Sequence, residues 1–272
     1  MSLLVVEAGR TERQYWRDLW RYRELFLFLA WRDLLVRYKQ TVVGVSWSLI
    51  RPLLTMLILT FVFGKLSKMP SAGSPYPLLV LCGMLPWTFF STAISDSGNS
   101  LVTNSNLISK IYFPRLIMAV SSVITSFVDF LISAILMAGL MLWYRFVPPT
   151  SALLVPFFTL LAFGASVGVG LWISALMVKY RDFRFIVPFI VQFGLYISPV
   201  GFQSRIVPSR YRLLYSLNPM VGIIDGFRWA LLGAQNSLDM TALAISVAEV
   251  VALLITGVVY FRKTERTFAD VI

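Results

Sequence analysis

The chain has 272 residues, of which 58% are hydrophobic and 14% charged, and this composition indicates a polytopic membrane protein rather than a soluble domain. It has no histidine and a single cysteine, Cys82, which excludes a histidine triad, a zinc centre and a disulfide framework. The net charge of +11 indicates basic loops on one side of a membrane, and we expect no nucleic-acid binding.

The N-terminal segment is charged before any long apolar run, so it is not a cleavable signal and is expected to stay in the cytoplasm. Residues 21–39 then predict an amphipathic helix in the inner-leaflet interface, with its arginines facing anionic headgroups. The alternative, a seventh membrane span, is disfavoured because seven of these 19 residues are charged.

Six apolar segments are long enough to predict membrane spans. They cover residues 43–64, 77–97, 116–144, 152–178, 185–202 and 241–261. An even number places both termini on one side. With these spans, 16 Lys and Arg lie on the side of the termini and 7 on the other, so the positive-inside rule predicts cytoplasmic termini.

The loop at 99–115 predicts a brief helix with exposed apolar residues, which ends at Pro114. Such a helix fits the groove of a partner protein, or it rests on its own membrane domain. The segment 203–239 predicts two short apolar helices, broken at Asn218 and Pro219, that re-enter the membrane from the outer side. The alternative is an external loop on the membrane surface.

Charged residues inside the predicted spans are candidates for function because burying a charge in lipid is costly. They are Arg51, Asp96, Asp129 and Glu249. Three interpretations stay open: buried pairs such as Arg51 with Asp129, contacts with a substrate, and a proton relay. A phosphate-binding loop is absent, since Gly64 and Lys65 are followed by Leu66, so the chain does not bind ATP by that route.

Two helix faces carry recognisable patterns. Phe189, Phe193 and Tyr196 form one aromatic stripe on the fifth span, which offers a sliding surface for sugar rings or packs against another helix. The small residues Gly164 and Gly168, followed by Gly170, predict close helix packing in the fourth span.

Several motifs in order resemble the permease subunits of polysaccharide-exporting ABC transporters, above all the O-antigen exporters, with teichoic-acid and capsule permeases as siblings. They are the run from Arg37 to Pro52 (RYKQTVVGVSWSLIRP), the LNPM sequence at 217–220, and the ending FRKTERTFAD at 261–270. The resemblance covers nearly the whole chain. One departure is Val43 before Gly44, where the family is expected to have leucine.

The resemblance implies an all-α membrane protein that forms a homodimer, with twelve spans enclosing a channel in the bacterial inner membrane. Two copies of a separate nucleotide-binding subunit would bind ATP and Mg²⁺, so this chain would hold no cofactor and would not be an enzyme. The substrate would be a polysaccharide linked to undecaprenyl diphosphate, surrounded by membrane lipids.

The resemblance also implies roles for particular residues. The substrate diphosphate would meet Arg37, Lys39, Gly44 and Arg51 at the cytoplasmic entrance, while Phe189, Phe193 and Tyr196 would line the channel. Asn218 and Pro219 would form an outer gate. The contact with the ATPase subunit would comprise Ser105, Asn106, Leu107, Ile108, Lys110, Ile111 and Tyr112.

Two other functional classes compete with an exporter. A membrane-embedded glycosyltransferase or acyltransferase would need acid–base or metal residues, but the sequence offers no histidine and no close carboxylate pair near an interface. A proton-driven carrier is disfavoured because no inverted internal repeat is evident.

Overall fold

The computed structural model describes residues 12–39, 46–71, 73–110, 113–233, 238–265 and 268, and within these ranges the chain is helical, without strands. Two short helices come first, and the long apolar helices follow. The helices are α1 Glu12–Arg21, α2 Arg23–Lys39, α3 Ser46–Leu59, α4 Tyr76–Thr103, α5 Ser105–Lys110, α6 Leu116–Trp143, α7 Val155–Lys179, α8 Phe183–Ile197, α9 Ser209–Tyr215, α10 Pro219–Leu232 and α11 Met240–Glu265.

Five helical segments are long and apolar enough to cross a membrane: Ser46–Leu66, Tyr76–Thr103, Leu116–Trp143, Thr150–Lys179 and Met240–Glu265. The first continues α3 by a π-helical turn, Thr60–Leu66. The predicted fifth span instead forms α8, whose 15 residues extend about 22 Å, short of the ~30 Å hydrocarbon core. The described residues therefore support five spans by length, and the sixth crossing stays a prediction.

The central element is α4, which is apolar over 28 residues and buried along most of its length. A helix that is apolar on every side is stable only when neighbours cover it on every side. Here α6, α7 and α10 surround α4, and the side chains of Phe89 on α4, Phe130 on α6, Phe158 on α7 and Phe227 on α10 pack in one core. The outer helix α8 leaves most of its apolar side chains exposed, and α3 exposes Trp47, Leu54, Leu57 and Ile58.

The predicted close packing in the fourth span is confirmed between α7 and α11. A Cβ atom at Gly168 would lie 2.8 Å from the backbone of Leu253 and Leu254, and one at Gly257 would lie 2.5 Å from the carbonyl oxygen of Gly168. Only glycine permits this backbone approach, as in other small-residue motifs of membrane helices.

The helix predicted at 21–39 is confirmed as α2, Arg23–Lys39, while its place in the inner-leaflet interface stays a prediction. The predicted direction of its arginines is wrong at two positions. Arg32 donates a hydrogen bond to the side chain of Asn104 at 2.8 Å, and Arg37 binds carboxylates of the membrane helices. The apolar residues Phe28 and Trp31 are the exposed ones, at 65% and 62%. Periodicity alone could not reveal this orientation, because the partners of the arginines lie far along the chain.

The predicted helix pair around Asn218 and Pro219 is present as α9 and α10. The Asn218 side chain accepts a hydrogen bond from the amide of Met220 at 3.0 Å and donates one to the Ser198 hydroxyl at 2.9 Å. Proline at the first position of α10 lacks only an amide that a helix start leaves unpaired. The break at Asn218 and Pro219 is therefore the capped start of α10. How deeply α9 and α10 enter the bilayer stays a prediction.

Arg228, counted among the outer loop charges in the sequence, is instead buried in α10 with 1% of its surface exposed. Its guanidinium donates hydrogen bonds to the carbonyl oxygens of Val200 and Phe202, both at 2.7 Å, and of Leu79 at 3.3 Å. Gly83 leaves room for it, since a Cβ there would lie 2.8 Å from Nη2. Arg228 is therefore a buried cation of the helical core and not the exposed loop charge that its place in the sequence indicated.

Candidate functional site

A cleft of about 950 Å³ opens between α2, α3, α4, α6 and α8. Its wall combines charged side chains, hydroxyl groups and tryptophan rings. The lining includes Arg37, Tyr38, Trp47, Ser48, Arg51, Thr55, Trp87, Thr88, Ser91, Thr92, Asp96, Ser126, Asp129, Ser133 and Gln192. Apolar side chains form most of the wall, and the polar groups among them are placed to bind the charges and hydroxyl groups of a ligand.

The polar centre of the cleft is an ion triad of Arg37, Asp96 and Asp129. Arg37, near the end of α2, binds Asp96 of α4 at 2.6 Å and Asp129 of α6 at 2.5 Å. Each of the three side chains keeps between 23% and 34% of its surface exposed, so all are accessible from the cleft. Burial alone lowers the pKa of the Arg37 guanidinium, but the two carboxylates outweigh this effect and raise it.

Hydroxyl groups extend the triad to a fourth helix. Tyr38 donates a hydrogen bond to Asp129, and the Ser48 hydroxyl of α3 lies 2.8 Å from the Tyr38 oxygen. Burial, reinforced by the bond to Asp129, raises the pKa of the Tyr38 phenol, which stays protonated as a donor. Ser126 donates to Asp96 at 3.1 Å. The network therefore joins α2, α3, α4 and α6 at the wall of one cleft.

The pair of Arg51 with Asp129, offered as an example of buried pairing, is wrong, because Arg37 occupies Asp129. Arg51 is exposed on α3 and its guanidinium lies 5.5 Å from the centroid of the Trp47 ring, within the range of a cation–π contact. The cleft therefore contains one arginine with carboxylate partners and a second, Arg51, whose recorded contact is an aromatic ring.

Of the other predicted entrance and channel residues, those that the structure describes do not line this cleft. Lys39 is exposed at the end of α2, and Gly44 lies outside the described residues. The aromatic stripe is exposed, with Phe189 and Phe193 in ring contact at 4.3 Å. The face of α8 toward the cleft carries Val191, Gln192 and Leu195, and at about 100° per residue the stripe lies on another face. Packing within this chain does not account for the stripe.

The short helix predicted in the loop 99–115 is present as α5, but its apolar residues are not all exposed. Ile108 is 9% exposed and packs with Phe113, Phe261 and Phe268 of the same chain. Asn106 and Lys110 are exposed, whereas Ile111 and Tyr112 lie outside the described residues. The helix thus rests on its own domain and presents a polar face outward.

The sequence indicated that Asp96 and Asp129 needed partners, but not that one arginine serves both. Arg37 is 59 residues from Asp96 and 92 from Asp129 in the chain, and it lay in a helix predicted to face lipid headgroups. Among the described residues, no group of three His, Cys, Asp or Glu side chains is placed to hold a metal ion.

Comparison with known proteins gives the family. The sequence profile of the ABC-2 type transporter family matches residues 24–232. The chain is 27% identical over 256 residues to the O-antigen export system permease protein RfbA of Myxococcus xanthus, covering 93% of this chain and 97% of that protein.

More distant relatives point to the same kind of protein. An RfbA of Klebsiella pneumoniae is 26% identical, covering 92% of this chain and 95% of that protein. The polysialic acid transport protein KpsM of Escherichia coli is 22% identical, covering 88% and 92%. The cleft, the apolar helices and the resemblance noted in the sequence agree with these matches: the chain belongs to the ABC-2 type transporter family, as a multi-pass membrane permease.

Proposed function

We propose that the chain is the channel-forming subunit of an ATP-driven exporter, which moves a polysaccharide of the O-antigen type, linked to undecaprenyl diphosphate, across the bacterial inner membrane. The observation that carries the proposal is the cleft with its exposed arginine and its rows of hydroxyl groups, in a chain that aligns over 93% of its length with an O-antigen export permease. A glycan needs hydroxyl partners and a diphosphate needs cations, and both lie on one wall.

Arg51 is the residue we assign to the diphosphate at the cytoplasmic entrance. Its guanidinium is exposed, held by contact with Trp47, and can form bidentate bonds to phosphate oxygens. Arg37 lies in the same cleft with its charge balanced by Asp96 and Asp129, so we assign it a second contact, made after Arg51. Lys39 and Gly44 complete the entrance in this proposal.

The proposed topology has six crossings, with both termini in the cytoplasm. In it α8 is the fifth of the six crossings in chain order. Its exposed apolar surface supports a place in the membrane, where local thinning of the bilayer can accommodate a short helix. The helices α9 and α10 re-enter the membrane from the outer side, and Asn218 and Pro219 close the exit. Phe189, Phe193 and Tyr196 contact sugar rings along the channel.

The working assembly that we propose is a homodimer with two copies of an ATPase subunit, which supply ATP hydrolysis and Mg²⁺ sites. The contact with each ATPase subunit is α5 and the residues after it: Ser105, Asn106, Leu107, Ile108, Lys110, Ile111 and Tyr112. Asn106 and Lys110 are exposed on α5, which supports their place in this contact. Ile108 would act by anchoring the helix.

The first test is Arg51→Ala in the reconstituted exporter. Loss of a charge-assisted contact to phosphate is worth about 1.5–3 kcal/mol, so we expect export and lipid-stimulated ATP hydrolysis to fall by roughly tenfold or more. Both are measured in liposomes with a defined glycan on undecaprenyl diphosphate. Arg51→Lys keeps the charge and should retain part of the activity.

Arg23 provides a matched control for this test. Its guanidinium also lies 5.5 Å from a tryptophan centroid, that of Trp20, but on an exposed helix face outside the cleft. Arg23→Ala should leave export unchanged. Unchanged export in Arg51→Ala, or an equal loss in both variants, would contradict the assignment of Arg51.

A capsular polysaccharide is the second candidate substrate, favoured by the match to KpsM. The O-antigen type is preferred because two relatives with that name share 26% and 27% identity with the chain, against 22% for KpsM. The test offers an O-antigen-type glycan and a capsular glycan to the same reconstituted exporter and measures which of the two is exported.

A further inference from the structure

Glu265, at the end of α11, joins three cytoplasmic segments of the chain. Its Oε2 accepts a hydrogen bond from the Tyr15 hydroxyl of α1 at 2.9 Å, and its Oε1 accepts one from the backbone amide of Arg115 at 2.8 Å. Its own carbonyl oxygen accepts a third from the Arg115 guanidinium at 2.7 Å. Tyr15 and Arg115 are 250 and 150 residues away in sequence, so these bonds hold distant segments together.

Arg115 is the residue immediately before α6, and its own side chain makes no capping hydrogen bond to that helix start. The first amides of a helix lack partners within the helix and carry partial positive charge. Glu265 supplies a carboxylate to this helix start from α11. Because Arg115 follows the end of α5 by five residues, the same contact fixes the point at which the chain returns from α5 to the membrane helices.

An apolar cluster surrounds this junction. Phe268 is 1% exposed, its ring lies 5.5 Å from that of Phe261, and the Arg115 guanidinium lies 5.9 Å from its centroid. Ile108 of α5 belongs to the same cluster. A second tie to α1 comes from Arg262, which stacks 4.6 Å from the Tyr15 ring centroid. Hydrogen bonds therefore link α11 to α1 and to Arg115, and α5 joins this junction by the packing of Ile108.

We infer that Glu265 is the positioning residue through which a displacement of α5 moves α1 and α11. The inference rests on the proposed function, in which an ATPase subunit pushes on α5. Apolar packing alone lets a short helix such as α5 slide when it is pushed. The Glu265 carboxylate, with both oxygens hydrogen-bonded, holds Arg115 and Tyr15 at fixed positions, so a movement of α5 is passed on to α1 and α11. Glu265 does not contact the ATPase subunit or the substrate; it keeps α5, α6, α11 and α1 moving as one body.

The experiment replaces Glu265 with glutamine in the full exporter and measures ATP hydrolysis and glycan export in the same liposomes. Glutamine keeps one acceptor oxygen and removes the charge. We expect export per ATP hydrolysed to fall roughly three- to thirtyfold, while ATP hydrolysis continues. Tyr15→Phe removes only the tie to α1 and should give a smaller fall. Amide hydrogen exchange in α5 should accelerate in Glu265→Gln, because the local contact that protects it is weakened.

Lys263→Ala is the matched control, since Lys263 is exposed on the same last turn of α11. It should leave the export per ATP hydrolysed unchanged. A purely structural role of Glu265 would lower hydrolysis and export in parallel, and that result would overturn the inference. So would an unchanged ratio in both Glu265→Gln and Tyr15→Phe; if the first fails to fold, an unchanged ratio in the second alone overturns it.

The failure of the inference differs from the failure of the proposed function. A wild-type chain that neither binds an ATPase subunit nor stimulates its hydrolysis would contradict the proposed function, and the inference would fall with it. A wild-type chain that couples normally, beside Glu265→Gln and Tyr15→Phe chains that couple equally well, would overturn the inference alone.

Discussion

The side chain of Arg228 is the largest buried cation among the described residues, and it donates hydrogen bonds to three backbone carbonyl oxygens. Those of Val200 and Phe202 belong to the irregular segment after α8, where backbone groups lack helical partners. We predict that Arg228→Met lowers the free energy of unfolding by about 3 kcal/mol, because buried acceptors lose a charged donor and the gain from removing a buried charge offsets only part of this. Thermal unfolding of the detergent-solubilised protein measures the change.

Arg210→Met is the control for this prediction, because Arg210 is exposed on α9 and contacts the Tyr211 ring at 5.8 Å. It should change stability by no more than about 0.5 kcal/mol. If both variants unfold at the same temperature as the wild type, Arg228 is not a stabilising residue.

Single residues also define what the sequence can and cannot predict. Apolar context marks Asp96 and Asp129 as costly groups, and that much follows from their position in the chain. Their shared partner, Arg37, does not follow, because pairing across 59 and 92 residues depends on how α2 packs. Arg228 is the clearest case: a short polar break before α10 made it resemble an outer loop residue.

At the scale of elements, α8 is the helix whose surface is least explained by its own chain. Phe193 and Tyr196 are 52% and 62% exposed, so truncating them should hardly alter stability. We predict that Phe193→Ala with Tyr196→Ala slows glycan export by roughly tenfold, since aromatic rings supply large, flat contact areas. Initial rates of export in liposomes measure the effect, with thermal unfolding as the check on folding.

Ile190→Ala is the control, because Ile190 is also 52% exposed on α8 but lies to one side of the tested pair, about 60° from Phe193 and 120° from Tyr196 around the helix. It should export at the wild-type rate. A double variant that exports normally would mean that the aromatic stripe serves lipid contact or assembly instead of the glycan.

The boundaries and orientation of a helix were easier to predict from the sequence when the helix is apolar along its whole length. The long apolar runs of α4, α6, α7 and α11 gave helices that begin within three residues of the predicted positions, but α4 continues to Thr103, six residues past its predicted end. The small residues of α7 gave the close contact with α11. The orientation of α2 was not predictable, because both of its faces are partly apolar and Arg32 and Arg37 are directed to partners in the membrane domain. The end of α8 was placed too late, since the helix stops before Ser198 and Pro199.

At the scale of the whole molecule, one chain leaves large apolar surfaces without protein partners. On α3, Leu54, Leu57 and Ile58 are between 52% and 62% exposed, and α9 exposes Leu213 and Leu214 at 66% and 68%. In a bilayer such residues contact lipid or a second copy. The proposed homodimer assigns part of them to the second copy and places the two hairpins of α9 and α10 opposite each other at the outer exit.

A cysteine cross-link tests this arrangement, and the chain is well suited to it. The single native cysteine, Cys82, is buried, so Leu217→Cys introduces the accessible thiol at the tip of the hairpin, where Leu217 is 59% exposed. We predict that mild oxidation gives a disulfide-linked dimer and stops export, because the gate cannot then open, and that reduction restores export. Gel mobility and export rates before and after reduction measure both effects.

Leu153→Cys is the control for an exposed thiol away from the hairpin, since Leu153 is 84% exposed in the turn before α7. It should form no dimer under the same oxidation, because thiols beyond about 7 Å between Cα atoms cannot be bridged. If Leu217→Cys does not cross-link, the two hairpins do not lie opposite each other, and the arrangement is wrong. A cross-linked dimer that exports normally would keep the dimer but remove the gate from α9 and α10, and the seal of the channel would then have to lie deeper, at the level of the cleft.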